Sequence, residues 1–129
     1  MHSGSFENGA RAVVIVGASD KPERYAHKAL VMLREQGFPV LPVHPRLVEI
    51  EGISVVRDVS QVTGAVDTVT LYVNPAIGEA LTEALVALNP RRVIFNPGSE
   101  SPELAAVLDA AGIAHEDACT LVLLNTGQF

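Results

Sequence analysis

The stretch AVVIVGASDKPERY, residues 12–25, decides how the rest of this chain folds. Its β-branched run, Val13–Val16, is typical of a strand that is buried on both faces. Gly17 ends the run abruptly, and a helical pattern begins near Glu23. A strand that turns on a glycine into a helix directs backbone N–H groups and the positive end of the helix dipole at one point, which suits a phosphate.

This turn has two interpretations. In the first, Gly17 allows the sharp turn, Ser19 adds a hydroxyl donor, and the loop binds a phosphate. In the second, Gly17 is only a strand-to-helix turn, and Ser19 or Asp20 is only the N-cap of the helix. An anion site in an acidic chain must be locally basic, and both lysines, Lys21 and Lys28, follow this turn.

Composition limits the class of protein. The chain has 129 residues, of which 48% are hydrophobic and 19% charged, and this fits one globular domain with a real core. A single cysteine excludes an internal disulfide and favours a reducing cytoplasm. No apolar run is long enough for a membrane span, and the net charge of −6 argues against nucleic-acid binding. We interpret residues 1–10 as a flexible lead-in and residues 11–129 as the domain.

Downstream, strand and helix patterns alternate. The predicted strands are residues 12–16, Val40–Val43, a short strand near Ile53, Val55 and Val56, residues 66–73, Arg92–Phe95 and residues 113–115. The predicted helices run from Glu23 to Gly37 and over residues 77–88, 104–111 and 117–125.

This alternation predicts an α/β fold of the Rossmann-like, doubly wound type. We expect a mostly parallel sheet of five or six strands with helices on both faces. Strand order 3-2-1-4-5 is the usual one, and it places a ligand at the carboxyl ends of the strands, at the switch point. Because Pro42 removes one ladder donor, the second strand is expected to lie near an edge of the sheet or to be irregular at Pro42.

The turn departs from the dinucleotide fingerprint G-x-G-x-x-G. Ser19 and Pro22 replace the second and third glycines, and His44 and Arg46 stand where an acid would end the second strand. An acid at that place binds a ribose 2′-hydroxyl, as for NAD, whereas a basic residue favours a phosphorylated ribose. NADP and coenzyme A both carry a phosphorylated ribose, so these residues leave both ligands open.

Four segments together resemble a known family. They are GASDKPERYAHK, VLPVHPR, FNPGSE and the ending CTLVLLNTGQF, and they are similar to the small stand-alone CoA-binding proteins. The resemblance runs from about residue 12 to residue 129. It implies the fold of the CoA-binding domain of the succinyl-CoA synthetase alpha subunit, and it implies coenzyme A or an acyl-CoA as the ligand.

The resemblance also implies a phosphate-binding loop in the first turn. In the family, this glycine-containing turn holds the CoA pyrophosphate. The matching positions in this sequence are Gly17, Ala18 and Ser19. Lys21 follows directly and also suits the phosphates.

A second set of implied ligand contacts follows two later strands. After the second strand, the resemblance places Arg46 near the adenosine phosphate and Pro45 beside the adenine. His44 is expected to contact phosphate or ribose rather than act as a base. After the fourth strand, Val73 and Asn74 are expected to flank the nucleotide.

Residues for catalysis or metal binding do not stand out. The four histidines are scattered along the sequence, and none has a close metal-ligand spacing with Cys119. The larger synthetases carry a phosphohistidine domain that has no counterpart in this sequence. We therefore expect non-catalytic CoA binding, no catalytic residues and no metal. An NADP-dependent oxidoreductase, or another nucleotide-binding regulatory module, is the alternative. The apolar C-terminal helix could supply the face of a homodimer.

Overall fold

The computed structural model describes residues 11–129, so the predicted lead-in over residues 1–10 lies outside the described residues. The strands are β1 (Val13–Val16), β2 (Val40–Val43), β3 (Glu49–Ile50), β4 (Ile53–Ser54), β5 (Thr68–Leu71), β6 (Arg92–Phe95) and β7 (Ala114–Asp117). The helices are α1 (Tyr25–Glu35), α2 (Pro75–Ala80), α3 (Thr82–Leu88), α4 (Pro102–Ala110) and α5 (Thr120–Asn125), with a 3₁₀ turn at Val59–Gln61. Across residues 11–129, every helix is too short or too polar to traverse a lipid bilayer.

Five of the strands form one parallel sheet in the order β2-β1-β5-β6-β7. The chain moves outward from β1 to β2 and then returns to place β5 on the other side of β1. The predicted doubly wound, Rossmann-like α/β fold is confirmed. In such a sheet the switch point lies between the carboxyl ends of β1 and β5, where ligand sites usually form.

Helices cover both faces of this sheet because the strands are apolar on both sides. Along β1, Val13 and Ile15 face one core, whereas Val14 and Val16 face the other. The first core is closed by α1 and α5, and the second by α3 and α4. The predicted inner face of α1 is confirmed, since it buries Ala26, Ala29, Leu30 and Leu33. Each fully buried leucine stabilises the fold by about 1.5–3 kcal/mol.

Pro42 lies in edge strand β2, as predicted. Its carbonyl oxygen accepts a hydrogen bond from the Val56 amide at 3.0 Å, on the side away from β1. Because the N and carbonyl groups of one strand residue point to the same side, the missing N–H removes no bond to β1. Val56 forms only an isolated parallel bridge with Val43. The expected third strand of the sheet is therefore reduced to one bridge, and Ile53 pairs with Ile50 in a separate β3–β4 hairpin.

Two predicted helices have different bounds in the structure. The helix expected over residues 77–88 is divided at Leu81, which ends α2 and begins α3 with φ −96° and ψ 5°. The last helix begins at Thr120 rather than Asp117, because Asp117 pairs with Phe95 at the end of β7. Sheet pairing at a distance overrides the local apolar pattern at this position.

At the amino end of the sheet, Asp67 precedes β5 and forms an ion pair with Arg91 at 2.7 Å. Arg91 donates two hydrogen bonds to its carboxylate at 2.7 and 3.1 Å, and Thr68 donates a third at 2.7 Å. Burial alone would raise the pKa of Asp67, but the bonds from Arg91 and Thr68 and the nearby charge of Arg11 lower that pKa to about 2.

We expect Asp67→Asn to lower the free energy of unfolding by about 1–2 kcal/mol at neutral pH, since Arg91 is largely solvent-exposed and its pairing is screened. Because the folded pKa lies below the unfolded pKa, this stabilisation is present above about pH 4 and is lost as the pH falls toward 2. Urea denaturation at several pH values measures the effect. Asp117→Asn, at an exposed carboxylate, is the control and should change stability little. An equal loss in both variants would contradict the prediction.

Candidate functional site

A cavity of about 1030 Å³ opens at the switch point of the sheet. It is bounded by the chain segments that follow β1, β2 and β5, together with residues 57–58 and the α2–α3 region. We call it the switch-point cavity. Its lining residues are Val16, Gly17, Ala18, Ser19, Asp20, Lys21, Glu23, Arg24, Tyr25, Ala26, Val43, His44, Pro45, Arg46, Leu47, Arg57, Asp58, Tyr72, Val73, Ile77 and Leu81. The structure thus brings together eight of the nine binding residues expected from the sequence.

Asn74 is the exception. It does not line the cavity, and its Oδ1 accepts a hydrogen bond from the Ile77 amide at 2.9 Å. The side chain is thereby the N-cap of α2, with Pro75 at the first helical position. The turn-forming role of the Asn-Pro dipeptide accounts for this residue, while its neighbour Val73 does face the cavity.

Gly17 lies close to the backbone that follows β5. Its φ is +82°, and a Cβ atom on it would lie 2.6 Å from the carbonyl oxygen of Tyr72. The Gly17 and Ala18 amides donate to the carbonyl oxygen of Val43 at 3.1 and 3.2 Å. These two amides therefore join the ends of β1 and β2, so the phosphate-binding amides expected at this turn begin only at Ser19.

The loop over residues 17–24, called the Ser19 loop, separates β1 from α1. The Ser19 hydroxyl oxygen accepts a hydrogen bond from the Lys21 amide at 3.1 Å, and the Arg24 amide bonds to the Lys21 carbonyl. Because these turns occupy the loop, α1 begins at Tyr25 and not near Glu23. The interpretation of Ser19 or Asp20 as the helix N-cap is wrong, since Arg24 holds that position.

Three amides in the Ser19 loop are left for a ligand. Within the described residues, the amides of Ser19, Asp20 and Glu23 have no hydrogen-bond partner. The first-turn amides of α1 also lack intrahelical partners, as in any helix, and the positive end of the helix dipole lies there. The loop therefore offers donors for an anion, although the helix begins later than the sequence pattern predicts.

His44 presents a neutral ring to the cavity. Its Nδ1 accepts hydrogen bonds from the Arg46 and Leu47 amides at 3.0 and 3.1 Å, which leaves the proton on Nε2. Burial and the nearby Arg46 charge lower the pKa of His44, and Asp20 opposes them. Because Nδ1 already accepts two hydrogen bonds, His44 has no free acceptor nitrogen with which to act as a general base. Its Nε2–H group is suited to donate a hydrogen bond to a phosphate or ribose oxygen.

The lining is more basic than the protein as a whole. The cavity is lined by three carboxylates and by four cations, which are Lys21, Arg24, Arg46 and Arg57. The chain as a whole has a net charge of −6. Within residues 11–129, none of the four cations has an ion-pair partner. Unpaired cations in a concave site attract a multiply charged anion.

The sequence did not predict Arg57 as a lining residue. It follows Val56, whose single bridge to Val43 carries the chain to the carboxyl end of β2. A one-residue bridge has no alternating pattern, so no signal in the sequence places Arg57 there. Arg24 had a signal, because it stands between the two lysines that follow the Gly17 turn.

Apolar side chains border the same cavity. Tyr25 is 63% exposed and Ile77 is 49% exposed, and Val73 and Leu81 continue the apolar border. Exposed side chains of this size beside unpaired cations suit a ligand with both anionic and less polar parts.

A buried polar network lies behind Tyr72. Asn96 donates to the Thr70 hydroxyl at 2.6 Å and to the Leu71 carbonyl at 2.8 Å, and it accepts from the Thr120 amide at 2.9 Å. The Tyr72 hydroxyl is buried and has no hydrogen-bond partner among residues 11–129. Burial raises the pKa of Tyr72 to about 12, against the opposing effect of the nearby Thr120 and Thr70 hydroxyls. Tyr72 therefore contributes no charge, and Asn96 is structural.

Metal ligands do not cluster in the described part of the chain. Across residues 11–129, no three histidine, cysteine, aspartate or glutamate side chains lie close enough to hold an ion.

Comparison with known sequences identifies relatives. A family model described as "CoA binding domain" matches residues 11–125. Over 64 residues the chain is 31% identical to the alpha subunit of ADP-forming acetate–CoA ligase II from Pyrococcus furiosus, which covers 49% of this chain and 14% of that protein. Over 63 residues it is 27% identical to the uncharacterised protein YneT of Bacillus subtilis, which covers 49% of this chain and 47% of YneT. The matched region thus spans less than half of either curated relative.

Comparison with solved structures gives a match that extends over nearly the whole chain. The crystal structure of an uncharacterised protein superimposes with a TM-score of 0.88 and 38% sequence identity. The match covers 95% of this chain and 100% of that chain.

Proposed function

The chain belongs to the CoA binding domain family, and from this premise we propose that it binds coenzyme A, free or acylated, in the switch-point cavity without catalysing a reaction. The observation that carries the proposal is the set of four unpaired cations beside an apolar border at the switch point. Coenzyme A combines a pyrophosphate and a ribose 3′-phosphate with a long pantetheine arm, so it needs both surfaces.

The pyrophosphate is assigned to the Ser19 loop. The free amides of Ser19 and Asp20 and the Lys21 ammonium supply donors and charge, while Gly17 and Ala18 hold the turn in place. These loop amides precede α1, and the positive end of the helix dipole adds to their attraction for an anion.

The adenosine part is assigned to the segment after β2. Arg46 pairs with the ribose 3′-phosphate, the Nε2 proton of His44 is donated to phosphate or ribose, and Pro45 packs beside the adenine. Val73 flanks the nucleotide from the end of β5. Asn74 supports that flank by capping α2.

A role without catalysis fits the chemistry of the lining. The Ser19 hydroxyl oxygen accepts from a backbone amide, and His44 uses Nδ1 as an acceptor for two amides. A serine nucleophile needs a base within hydrogen-bond reach, and within the described residues no such bond joins Ser19 to His44.

The sequence also predicts a cytoplasmic protein and a homodimer through the C-terminal helix. We keep both as part of the proposal. The single cysteine supports a reducing compartment. In α5, Leu124 faces the core while Val122 is 54% exposed, so only the outer side of this helix is available for a second copy.

Calorimetric titration tests the ligand. We expect CoA to bind more tightly than NADP, because only CoA has both the ribose 3′-phosphate and the pantetheine arm. NADP should bind more tightly than NAD, because only NADP carries a phosphorylated ribose. If NADP binds and CoA produces no heat, the proposal is wrong and the alternative function, an NADP-dependent oxidoreductase, is favoured. The mass of a copurifying ligand, read by native mass spectrometry, identifies the acyl group.

Arg46→Ala tests the assignment of the adenosine phosphate. We expect CoA affinity to fall about 10- to 100-fold, because a charge-assisted bond to phosphate contributes about 1.5–3 kcal/mol. Dephospho-CoA lacks the phosphate, so its affinity should change little. Lys28→Ala removes one positive charge outside this cavity and is the control. Equal losses for CoA and dephospho-CoA in Arg46→Ala would assign Arg46 to another part of the ligand.

A further inference from the structure

His27 is a buried titratable residue that the proposed binding mode leaves unused. Its side chain is 7% exposed and lies in the first turn of α1. Nδ1 lies 2.9 Å from the carbonyl oxygen of Ser19, and Nε2 lies 2.9 Å from Oε2 of Glu51. His27 therefore joins the Ser19 loop to the turn of the β3–β4 hairpin.

Both partners of His27 are hydrogen-bond acceptors. A carbonyl oxygen cannot donate, so Nδ1 must carry a proton to bond with Ser19. An ionised carboxylate cannot donate either, so Nε2 bonds with Glu51 only when the pair holds one further proton. That proton gives an imidazolium–carboxylate pair or a neutral ring beside a neutral acid. When it is lost, one of the two bonds to His27 cannot form.

Glu51 has a backbone conformation that glutamate rarely adopts. Its φ is +52°, and with Gly52 it forms the two-residue turn between β3 and β4. Asparagine or glycine is the usual residue at this position of such a turn. Arg34 fixes the same residue through a bond of 2.8 Å to the Glu51 carbonyl oxygen. An unfavourable conformation at the residue whose side chain reaches His27 indicates a role for that side chain.

The hairpin connects two segments of the switch-point cavity. Residues 44–47 precede it and residues 57–58 follow it, and both segments line the cavity. The Val55 amide donates to the Val48 carbonyl at 2.9 Å, which holds the base of the hairpin together. A link between Glu51 and the Ser19 loop therefore fixes all three segments relative to one another.

We propose that His27 and Glu51 are a proton-dependent positioning pair that holds the Ser19 loop in the conformation that binds the ligand phosphates. The proposal rests on the proposed function, because it concerns the same cavity. Neither residue needs to touch the ligand. Glu51 does not line the cavity, and His27 acts through the carbonyl oxygen of Ser19.

Other charged groups surround the pair. On α1, Lys28 and Glu35 line a groove of about 510 Å³ with His27, and α5 contributes the uncharged Leu121 and Asn125 to the same groove. The charged residues of the Ser19 loop are Asp20, Lys21, Glu23 and Arg24. The hairpin adds Glu49, and Arg34 contacts the backbone of Glu51. His44 titrates inside the cavity and is common to every variant, so comparing variants removes its effect.

Two substitutions at Glu51 separate positioning from folding. Glu51→Gln keeps both bonds to His27 without the shared proton, because the glutamine amide donates to Nε2 while the Nδ1 proton bonds to Ser19. Glu51→Asn places a favourable residue in the turn, but its side chain is one methylene shorter and loses the bond to His27. Both variants are uncharged at this position. Glu83→Gln, at an exposed position of α3, controls for the loss of one negative charge.

We expect Glu51→Asn to bind CoA about tenfold more weakly than wild type at about pH 6, with a melting temperature at least as high. At a higher pH, where the pair has lost its shared proton, one of the two bonds to His27 cannot form, so the advantage of wild type over Glu51→Asn should shrink toward onefold. Glu51→Gln should keep the same advantage over Glu51→Asn at both pH values. The proposed positioning role would be wrong if wild type bound CoA no more tightly than Glu51→Asn, or if the ratio of their affinities were equal at the two pH values.

Hydrogen exchange in the ligand-free protein gives a second measurement. We expect the hydrogen-bonded amides of Lys21 and Arg24 in the Ser19 loop to exchange faster in Glu51→Asn than in wild type, while β1, β5 and β6 keep their protection. If wild type binds no CoA at all, the proposed function falls and the exchange experiment still tests the pair. Unchanged protection of the Ser19 loop in Glu51→Asn would overturn the inference by itself.

Discussion

Gly17→Ala is expected to lower the free energy of unfolding by about 3 kcal/mol or more, because two penalties add at this position. The φ of +82° is unfavourable for any residue with a Cβ atom. In addition, the new methyl group would lie 2.6 Å from the Tyr72 carbonyl oxygen and 2.8 Å from a methyl group of Val73. The carbonyl belongs to the backbone at the end of β5, so it cannot move aside without disturbing the sheet. Urea denaturation monitored by circular dichroism measures the loss.

Gly37→Ala is the matched control for this prediction. Gly37 also has a positive φ, +89°, but a Cβ atom there meets nothing within 4 Å. Its substitution should therefore lower stability by only about 1 kcal/mol, the effect of conformation alone. If the two variants lose the same stability, the close approach of β1 and β5 at Gly17 is unimportant and the prediction is wrong.

Ser19→Asp is expected to weaken CoA binding by about 100-fold or more while the protein stays folded. A carboxylate in the Ser19 loop would face the pyrophosphate, and like charges a few ångströms apart repel each other. Aspartate can still accept the hydrogen bond from the Lys21 amide that the Ser19 hydroxyl accepts at 3.1 Å, so the turn is preserved. Thermal melts with and without CoA measure folding and binding together.

Ala87→Asp adds the same charge on the exposed side of α3, away from the switch-point cavity, and is the control. It should melt with the same CoA-induced stabilisation as wild type. Ser19→Ala removes only the loop hydroxyl and should reduce binding far less than Ser19→Asp. A Ser19→Asp protein that melts normally and is still stabilised by CoA would mean that the phosphates do not lie at this loop.

The sequence predicted the central part of the fold because its local signals are strong. Four consecutive β-branched residues in β1 indicate a strand buried on both faces, and the structure buries all four. Pro42 indicated an edge strand, since a proline cannot donate to a ladder, and β2 is an edge. Elements that depend on distant pairing were predicted less well. Asp117 is a strand residue because Phe95 pairs with it, and no local pattern contains that pairing.

The same division holds for the candidate site. The strands that border the cavity are followed by residues with recognisable chemistry. Gly17, Ser19 and Arg46 could therefore be predicted as binding residues from the sequence and its family resemblance. Arg57 could not, because a single bridge between Val56 and Val43 brings it to the cavity. Asn74 was expected to flank the nucleotide, and only the bond from the Ile77 amide reveals that its side chain caps α2.

By itself, the sequence determined the alternation of strands and helices and the parallel sheet, and it predicted the loops where a ligand is expected. Apolar periodicity and glycine turns are local properties, so they survive without knowledge of the fold. Only the tertiary structure decided which donors each loop has left. The Gly17 and Ala18 amides are used by Val43, a residue 25 or more positions away, and His27 is held between the Ser19 carbonyl and Glu51. Hydrogen-bond partners of this kind are set by distances between segments, which no local pattern encodes.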